Sequence, residues 1–307
     1  MNVEDLVDAN LVEEEMKRIS ERMLTQREGY FWPSESSVRY EAAPGIVDAI
    51  GACRRKVFWR WKRMPPTNPS DPRSLRTMAM GKAIEQQELE WYFKYGFGIA
   101  RNFKFQDPKL RLSGEGDALV FDPNAGIVGV EIKSIYGYYA EKEILGTKGK
   151  PGFPRLDNLM QAMLYIMVTK IPQWRLVYIA RTTFEHRQFA IGMDEHGFPI
   201  VEDRDSGMST TFKGFSVYDV LDRNEELYGM IARDELPTRE YQCAYPADEV
   251  EKRFTNGLIS KTSYGEWKKA PQAHPIGDWQ CNPRYCLHYS RCQEASGTGT
   301  DPAGNSV

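Results

Sequence analysis

Apolar and polar positions alternate along the chain between helical and strand periods. Apolar residues three and four apart predict a helix over 156–169, and alternating apolar residues predict strands over 174–181 and 187–193. The same patterns predict further elements, namely helices over 3–27, 47–62, 78–95 and 217–233 and a strand over 99–106. Helices and strands in this order predict an α/β fold with a mixed central sheet flanked by helices.

Two more strands are predicted on either side of a short turn. Residues 111–121 and 127–135 have strand character, and the segment between them supplies Asp122, Pro123, Asn124 and Gly126. These residue types favour tight turns, so the two strands should form a hairpin. In such a hairpin, residues near position 117 would lie beside residues near position 131.

The length of 307 residues is generous for one core and short for two independent cores. We predict four segments: a helical segment over 1–76, a core over 77–240, a C-terminal segment over 241–292 and a disordered tail over 293–307. No apolar run is long enough to span a bilayer, and the N-terminus lacks a basic leader with a cleavage site. The expectation is a cytoplasmic protein with no membrane partner.

Candidate chemistry lies on the predicted hairpin, in Gly116-Asp117 and in Glu131-Ile132-Lys133. Glu131 and Lys133 are two residues apart and so leave the strand on one face, whereas Ile132 points into apolar packing. Carboxylates are ligands that Mg2+ or Mn2+ prefers, and a bound cation would polarise a phosphate while Lys133 orients the attacking water. The pattern predicts a phosphodiester-cleaving site. Its alternative is a chance arrangement in a charged hairpin.

Gln161 and Tyr165 lie four residues apart on the predicted helix over 156–169. They therefore share one helical face and can project polar groups toward the site or toward DNA. In the alternative interpretation, Gln161 is solvated and Tyr165 is a core residue whose hydroxyl is satisfied.

A second candidate site consists of cysteines. Cys281, Cys286 and Cys292 lie close together in sequence, and Cys53 lies far upstream. Thiolates in such clusters hold zinc or an iron-sulfur cluster, and a disulfide framework is the weaker explanation in a chain without a secretory signal. His288 could replace one thiolate in a zinc site. Cys243 has no neighbour in sequence and is left unassigned, as a buried small apolar residue.

The order of these motifs resembles that of RecB-like PD-(D/E)XK nucleases with an iron-sulfur cluster, which include CRISPR-associated iron-sulfur exonucleases, the AddB nuclease domain and phage-encoded relatives. The resemblance runs from about residue 30 to Cys292. It implies a restriction-endonuclease-like core that cuts DNA from an end. It also implies a helical iron-sulfur lobe formed by N- and C-terminal segments, with a 4Fe-4S cluster on Cys53, Cys281, Cys286 and Cys292.

The chain departs from that family at two points. Where the family commonly has a histidine four residues after a glycine, this chain has Glu85 after Gly81. Glu85 can still ligate a hard metal, Glu88 is a second candidate, and the family pattern adds the Ile132 carbonyl as a ligand. The alternative is that both glutamates lie on the surface of an amphipathic helix. The first gap of the cysteine triplet is also longer than usual, which leaves the cluster type open.

The net charge of −3 does not by itself indicate a nucleic-acid-binding protein, so any contact with phosphates must be local. Arg54 and Arg55 begin a segment over 54–63 that interleaves cations with aromatic residues. We expect its aromatics to face inward and its arginines outward. Lys148, Lys150 and Arg155 belong to a basic loop, which the alternative interpretation takes as merely solvated.

Together the residues predict a divalent-metal-dependent DNA exonuclease with a structural 4Fe-4S cluster. Its partners would be single-stranded or end-containing DNA, with a homo-oligomer or a recombination or replication protein as further possibilities. One rival is a catalytically weak DNA-end-binding or recombination subunit, which the missing histidine favours. The other is a structural protein stabilised by Zn2+ at the cysteines.

Overall fold

The computed structural model describes residues 29–297. The predicted helix over 3–27 and the part of the predicted tail over 298–307 lie outside those residues. The described chain divides into two compact units, one made of residues 29–36 and 72–224 and the other of residues 37–71 and 225–297. The boundaries therefore fall at 36/37, 71/72 and 224/225, whereas the sequence pattern suggested 76/77 and 240/241.

The strands in chain order are β1 (Ser37–Ala43), β2 (Ile46–Gly51), β3 (Gly98–Asp107), β4 (Leu112–Asp122), β5 (Gly126–Ile135), β6 (Gly146–Thr147), β7 (Lys150–Pro151), β8 (Trp174–Ala180), β9 (His186–Met193), β10 (Pro199–Asp203) and β11 (Ser209–Thr211). The helices are α1 (Arg54–Trp61), α2 (Pro72–Lys94), α3 (Tyr138–Leu145), α4 (Leu156–Thr169), α5 (Val217–Ala232), α6 (Ala247–Thr255), α7 (Lys261–Lys269) and α8 (Tyr289–Gly297). Short 3-10 helices cover Pro33–Glu35 and Trp279–Cys281.

The first unit is built on a seven-stranded sheet in the order β11-β10-β9-β8-β5-β4-β3. Neighbouring strands are antiparallel except β5 and β8, which are parallel and are joined through α4. The predicted α/β fold with a mixed, helix-flanked sheet is confirmed. Its order of helix, three strands, helix and strand is consistent with a restriction-endonuclease-like core.

The predicted hairpin is confirmed as β4 and β5, with Ala118 opposite Val130. Its turn is closed by Asp122, whose carboxylate accepts hydrogen bonds from the amides of Asn124 at 2.8 Å and Ala125 at 2.9 Å. Asp122 also pairs with Arg175 on β8. The turn is therefore tied to the parallel neighbour of β5 as well as to itself.

The two long helices of this unit cover opposite faces of the sheet. Leu89 of α2 packs with Val128, Val130 and Ile132 of β5 in one buried cluster. Helix α4 contacts β8 and β9, and its apolar residues are buried as the periodicity predicts. Because strand residues alternate between faces, α4 lies on the face of Glu131 and Lys133.

Two glycines of the hairpin make room for a large aromatic residue, Trp174 of β8. A β-carbon at Gly116 or Gly129 would overlap the Trp174 indole, which lies across both positions. Trp174 is fully buried and stacks obliquely on Tyr165 of α4, with the ring centroids 4.4 Å apart. The glycine before Asp117 is thus a packing requirement as well as part of a motif.

The predicted helix over 47–62 is wrong in its first part. Residues 46–51 form β2, which pairs with β1, and α1 begins only at Arg54 with Cys53 as its N-cap residue. Antiparallel pairing with the neighbouring strand of a hairpin overrides the local helical pattern there. Sequence periodicity also missed α3, the β6-β7 ribbon, β10, β11 and the helices α6 and α7. Helix α8 continues to Gly297, so residues 293–297 of the predicted disordered tail are helical.

The second unit contains the β1-β2 hairpin, α1 and the C-terminal helices. Arg253 of α6 pairs with Asp48 of β2 and with Glu249, which lies 2.6 Å away. Its guanidinium also lies 4.2 Å from the centroid of the Tyr245 ring. A small apolar cluster of Val250, Ile259 and Trp267 packs α6 against α7. Within residues 29–297, no helix combines the length and apolar character needed to cross a membrane.

The packing of Trp174 leads to a stability prediction. Gly129→Ala should lower the free energy of unfolding by about 1–3 kcal/mol, because the added methyl group overpacks the indole. Gly192→Ala is the matched control, since its β-carbon would meet only the Pro172 carbonyl oxygen, at 3.9 Å. Chemical denaturation of both variants measures the difference, and equal stabilities would contradict the packing argument.

Candidate functional site

Asp117 and Glu131 lie close together where the pairing of β4 and β5 ends. Ala118 of β4 is directly opposite Val130 of β5, and Asp117 and Glu131 are the residues immediately beyond this pair. The Asp117 Oδ2 atom accepts a hydrogen bond of 2.6 Å from the Ile132 amide. The structure thus brings the two carboxylates together. Ile132, whose carbonyl is a predicted metal ligand, lies beside them.

Lys133 is attached to this pair through Glu131. Its ammonium lies 2.6 Å from Glu131 Oε1. Burial by itself would lower the pKa of Lys133, but the carboxylates of Glu131, Asp117 and Asp157 raise the pKa above its ordinary value. Lys133 is therefore a fixed positive charge beside the carboxylates.

Gln161 and Tyr165 of α4 support Glu131 from above the sheet. The Gln161 amide donates to Glu131 Oε1 at 2.9 Å and also to the Tyr165 hydroxyl. The hydroxyl in turn donates to the Glu115 carbonyl at 3.2 Å. Both side chains are buried, so the solvated alternative for Gln161 is wrong, and Tyr165 is a core residue whose hydroxyl also belongs to the site. Burial, followed by the Glu131 charge, raises the pKa of Tyr165 well above its ordinary value, which keeps the hydroxyl neutral.

Helix α2 brings Glu85 to the same carboxylates. Burial raises the pKa of Asp117 well above its ordinary value, and the nearby charges of Glu131 and Glu85 raise it further. Glu85 also forms an ion pair with Lys82. Glu88 is directed elsewhere: its Oε1 lies 3.9 Å from His186 Nδ1, and it interacts with Tyr92.

The residues present fit a hard cation. The second carboxylate oxygen of Glu131, Oε2, is buried and has no hydrogen-bond partner among the described residues. Asp117 experiences repulsion from two other carboxylates, which a cation would relieve. Within residues 29–297 no three acidic, histidine or cysteine side chains form a ready-made metal cage. At this site one oxygen of Glu131 is instead engaged by Lys133, and Glu85 is engaged by Lys82.

Two charged residues of this site were missed by sequence reasoning. Lys82 lies within electrostatic reach of Glu85, Asp117 and Glu115; burial would lower its pKa, and these carboxylates raise it. Asp157 at the start of α4 acts on Lys133. The spacing of Lys82 and Glu85, three residues apart on a helix, was a readable signal. Nothing local in the sequence pointed to Asp157.

The basic segment before α4 is exposed but is not an irregular loop. Lys150 lies on β7, which pairs with β6 in a two-stranded ribbon, and Lys148 lies in the turn between them. Arg155 is the N-cap residue of α4, and its Nε lies 3.4 Å from Asp157 Oδ1. These three cations therefore belong to the unit that carries the carboxylates.

The expectation that the arginines of α1 face outward is wrong for Arg54. Its guanidinium is buried, 3.2 Å from Glu226 and 3.6 Å from Glu240. Arg55 donates to the Pro237 carbonyl at 2.7 Å and to Cys292 Sγ at 3.4 Å. Ion pairs, a carbonyl and a sulfur atom within the second unit therefore engage both guanidinium groups. The aromatics Phe58 and Trp59 do face inward.

The cysteines all lie in the second unit, but only three of the four predicted cluster ligands are free thiols there. Cys53, Cys286 and Cys292 lie within electrostatic reach of one another, and burial raises the pKa of Cys53 to about 11 and also raises that of Cys286. The structure joins Cys281 to Cys243 in a disulfide. In this geometry Cys281 is not a thiolate ligand, and Cys243, which sequence left unassigned, has Cys281 as its partner.

His288 packs beside this group without joining it. Its ring is buried, with its centroid 5.3 Å from that of Trp59, and Nδ1 lies 3.1 Å from the Arg291 guanidinium. Burial, then the charges of Arg291 and Lys56, lower the pKa of His288 to about 4. The imidazole is therefore neutral near pH 7.

No protein-family model and no curated protein matches this chain. Among solved structures, the alkaline exonuclease LHK-Exo from Laribacter hongkongensis is 14% identical with a TM-score of 0.43, over 78% of this chain and 100% of that chain. LHK-Exo in complex with dAMP is 14% identical with a TM-score of 0.42, over 69% and 95%. The crystal structure of SSO0001 is 12% identical with a TM-score of 0.36, over 69% and 86%.

The raised pKa of Asp117 predicts how stability depends on pH. A carboxyl whose pKa is higher in the folded than in the unfolded state stabilises the fold below its ordinary pKa, and this stabilisation is lost as pH rises through the folded pKa. Asp117→Asn should therefore raise the melting temperature at pH 8 in chelator, and the difference should shrink toward pH 4. Thermal unfolding followed by circular dichroism measures it.

Asp122→Asn is the control of opposite sign. Burial would raise the pKa of Asp122, but the Ala125 amide and the Arg175 guanidinium lower it to about 2. Neutralising Asp122 should therefore lower the melting temperature at pH 8. A lower melting temperature for Asp117→Asn as well would contradict the electrostatic account of the site.

Proposed function

We propose that this protein is a DNA nuclease that hydrolyses phosphodiester bonds with Mg2+ or Mn2+. The observation that carries the proposal is the convergence of Asp117, Glu131 and Lys133 at the end of the β4-β5 pairing, with Glu131 Oε2 buried and without a hydrogen-bond partner in residues 29–297. Two acidic groups beside one fixed ammonium suit the hydrolysis of an anionic ester. Cleavage from a DNA end follows from the resemblance in motif order and is part of the proposal.

Asp117 and Glu131 would hold the cation, with Glu85 and the Ile132 carbonyl as further candidate ligands. A bound cation supplies polarisation of the scissile phosphate and a lower pKa for the attacking water. Lys133 stays protonated, orients the water and balances negative charge that develops on the phosphate oxygens. Gln161 and Tyr165 act as positioning residues, because Gln161 donates a hydrogen bond to Glu131 and is itself tied to the Tyr165 hydroxyl.

The cysteines of the second unit are proposed to hold a structural 4Fe-4S cluster, with Zn2+ as the alternative. Three thiols, those of Cys53, Cys286 and Cys292, fit this role because they lie near one another. Arg239 donates toward Cys292 Sγ at 3.7 Å, as does Arg55, and such donors stabilise thiolate charge. Cys281 completes the set only after its disulfide with Cys243 is reduced to two thiols by a dithiol or similar reductant.

A DNA-end-binding subunit without strong hydrolytic activity is the second candidate. The Lys82 ammonium forms an ion pair with Glu85. Glu85 stands at the position where the family that this chain resembles commonly has a histidine ligand. If this ion pair persists in the presence of metal, only two carboxylates remain for the cation. Metal-dependent release of nucleotides from end-labelled DNA separates the two candidates.

Lys133→Ala tests the nuclease proposal. With Mg2+ or Mn2+, the variant should degrade end-labelled single- and double-stranded DNA about 100-fold more slowly or worse, because the charge beside the phosphate is lost. Lys104→Ala, at an exposed position of β3, is the matched control and should cut normally. Circular dichroism verifies folding, and chelator should abolish cutting by the native protein. Undiminished DNA degradation by Lys133→Ala would remove this residue from the mechanism.

Iron and sulfide analysis after anaerobic purification tests the cysteine proposal. Cys286→Ala should lose iron, brown colour and folded yield together, whereas Cys243→Ser should keep iron because Cys281 is then free to ligate. Zinc in place of iron would favour the alternative metal. A native protein that is folded and stable, yet colourless and free of both iron and zinc, would refute a metal site at these cysteines.

A further inference from the structure

The segment between β5 and α4 carries an unusual group of exposed aromatic residues beside the proposed site. Tyr136, Tyr138 and Tyr139 are 71%, 63% and 75% exposed. They follow Lys133 by three to six residues, and an extended chain covers only about 10 Å in three residues. An aromatic surface, defined here as these three tyrosines, therefore begins at the end of the strand that carries Glu131 and Lys133.

Two of the three rings of the aromatic surface touch each other, and the helix that carries them is anchored in the core. The Tyr138 and Tyr139 rings meet edge to face with centroids 5.5 Å apart, and Lys142 Nζ lies 4.0 Å from the Tyr138 ring centroid. Helix α3, which carries both rings, is anchored by the fully buried Ile144. Gly152 lies so close to the Ile144 carbonyl oxygen that a β-carbon would overlap it. Such preorganisation reduces the entropy lost on binding a ligand.

The charge around the aromatic surface suits phosphates. Residues 136–155 contain four cations and two carboxylates, a formal charge of +2 in a chain of net charge −3. One of the two carboxylates, that of Glu141, accepts a hydrogen bond of 2.8 Å from Thr182 Oγ1. The other belongs to Glu143, whose side chain is exposed. The cations are Lys142, Lys148, Lys150 and Arg155.

We propose that Tyr136, Tyr138 and Tyr139 stack on the unpaired bases of single-stranded DNA while the lysines of residues 142–150 contact its phosphates. The inference rests on the proposed nuclease function and adds its substrate class. Interleaved aromatic and cationic side chains bind single strands because every base has a π face. In a duplex those faces are covered by neighbouring base pairs, so the aromatic surface selects single-stranded DNA or the frayed end of a duplex.

Binding measured without catalysis tests this surface directly. In chelator, fluorescence anisotropy with a labelled oligo(dT) single strand should show binding weaker by about 30-fold or more for the double variant Tyr138→Ala, Tyr139→Ala, which removes two stacking rings. The double variant Tyr138→Phe, Tyr139→Phe keeps the rings and should bind like the native protein. Binding to a blunt duplex should change little in either variant.

A matched control lies at the far end of α2. Tyr95 is 63% exposed, its ring stacks on Trp91 with centroids 5.8 Å apart, and Lys94 Nζ lies 5.0 Å from the Trp91 ring centroid. It is a similar aromatic and cationic pair about 15 Å along the helix from Glu85. Tyr95→Ala should therefore leave single-strand binding unchanged.

Hydrolysis distinguishes failure of this inference from failure of the proposed function. With Mn2+, the alanine double variant should lose activity on single-stranded DNA but should hydrolyse bis(p-nitrophenyl) phosphate, which has no base, at the native rate. Native-like binding and cutting of single strands by that variant would overturn the stacking proposal and leave the nuclease intact, as expected if the surface instead meets a protein. A native protein that binds single strands through these tyrosines yet hydrolyses neither substrate would overturn only the nuclease.

Discussion

The contact between Glu131 and Lys133 is the interaction on which the candidate site depends. A buried carboxylate is costly unless it is paired and hydrogen-bonded, and Glu131 receives both the Lys133 ammonium and the Gln161 amide on a single oxygen. Its other oxygen is buried and finds no hydrogen-bond partner in the part of the chain that the structure describes. The hydrogen bonding of Glu131 is therefore incomplete without a further positive group. Asp117, whose pKa is raised, lies close enough to Glu131 to share such a group with it.

The sheet supplies the geometry that this interaction needs. Antiparallel pairing of β4 and β5 sets Asp117 beside Glu131, and the Ile132 amide holds the Asp117 carboxylate. The Trp174 indole lies on the two glycines of the same strands and braces Tyr165, which reaches back to the site through Gln161. Packing and polar contacts thus define the same orientation of Glu131.

The second unit offers a different kind of chemistry. Three of its cysteines lie near one another, and guanidinium groups that were expected to contact DNA instead engage carboxylates, a carbonyl and the Cys292 sulfur. Arg54 and Arg55 are therefore engaged within this unit, and the cations proposed for phosphate contact belong to the segment after β5. The proposed division is a catalytic and DNA-binding first unit and a sulfur-rich second unit.

Local sequence determined the elements whose signals are local. Helix α4 follows the predicted bounds, the hairpin turn follows from Asp122 to Gly126, and the strand period of two is sufficient to place Glu131 and Lys133 on one face. These features need only the geometry of a few successive residues.

Tertiary structure alone decided what depends on distant partners. Arg54 turned inward because Glu226 and Glu240 lay within reach. Asp157 acts on Lys133, and Cys243 meets Cys281, across separations that no periodicity records. Pairing, burial and charge interactions are non-local, so their outcome is set by the folded chain.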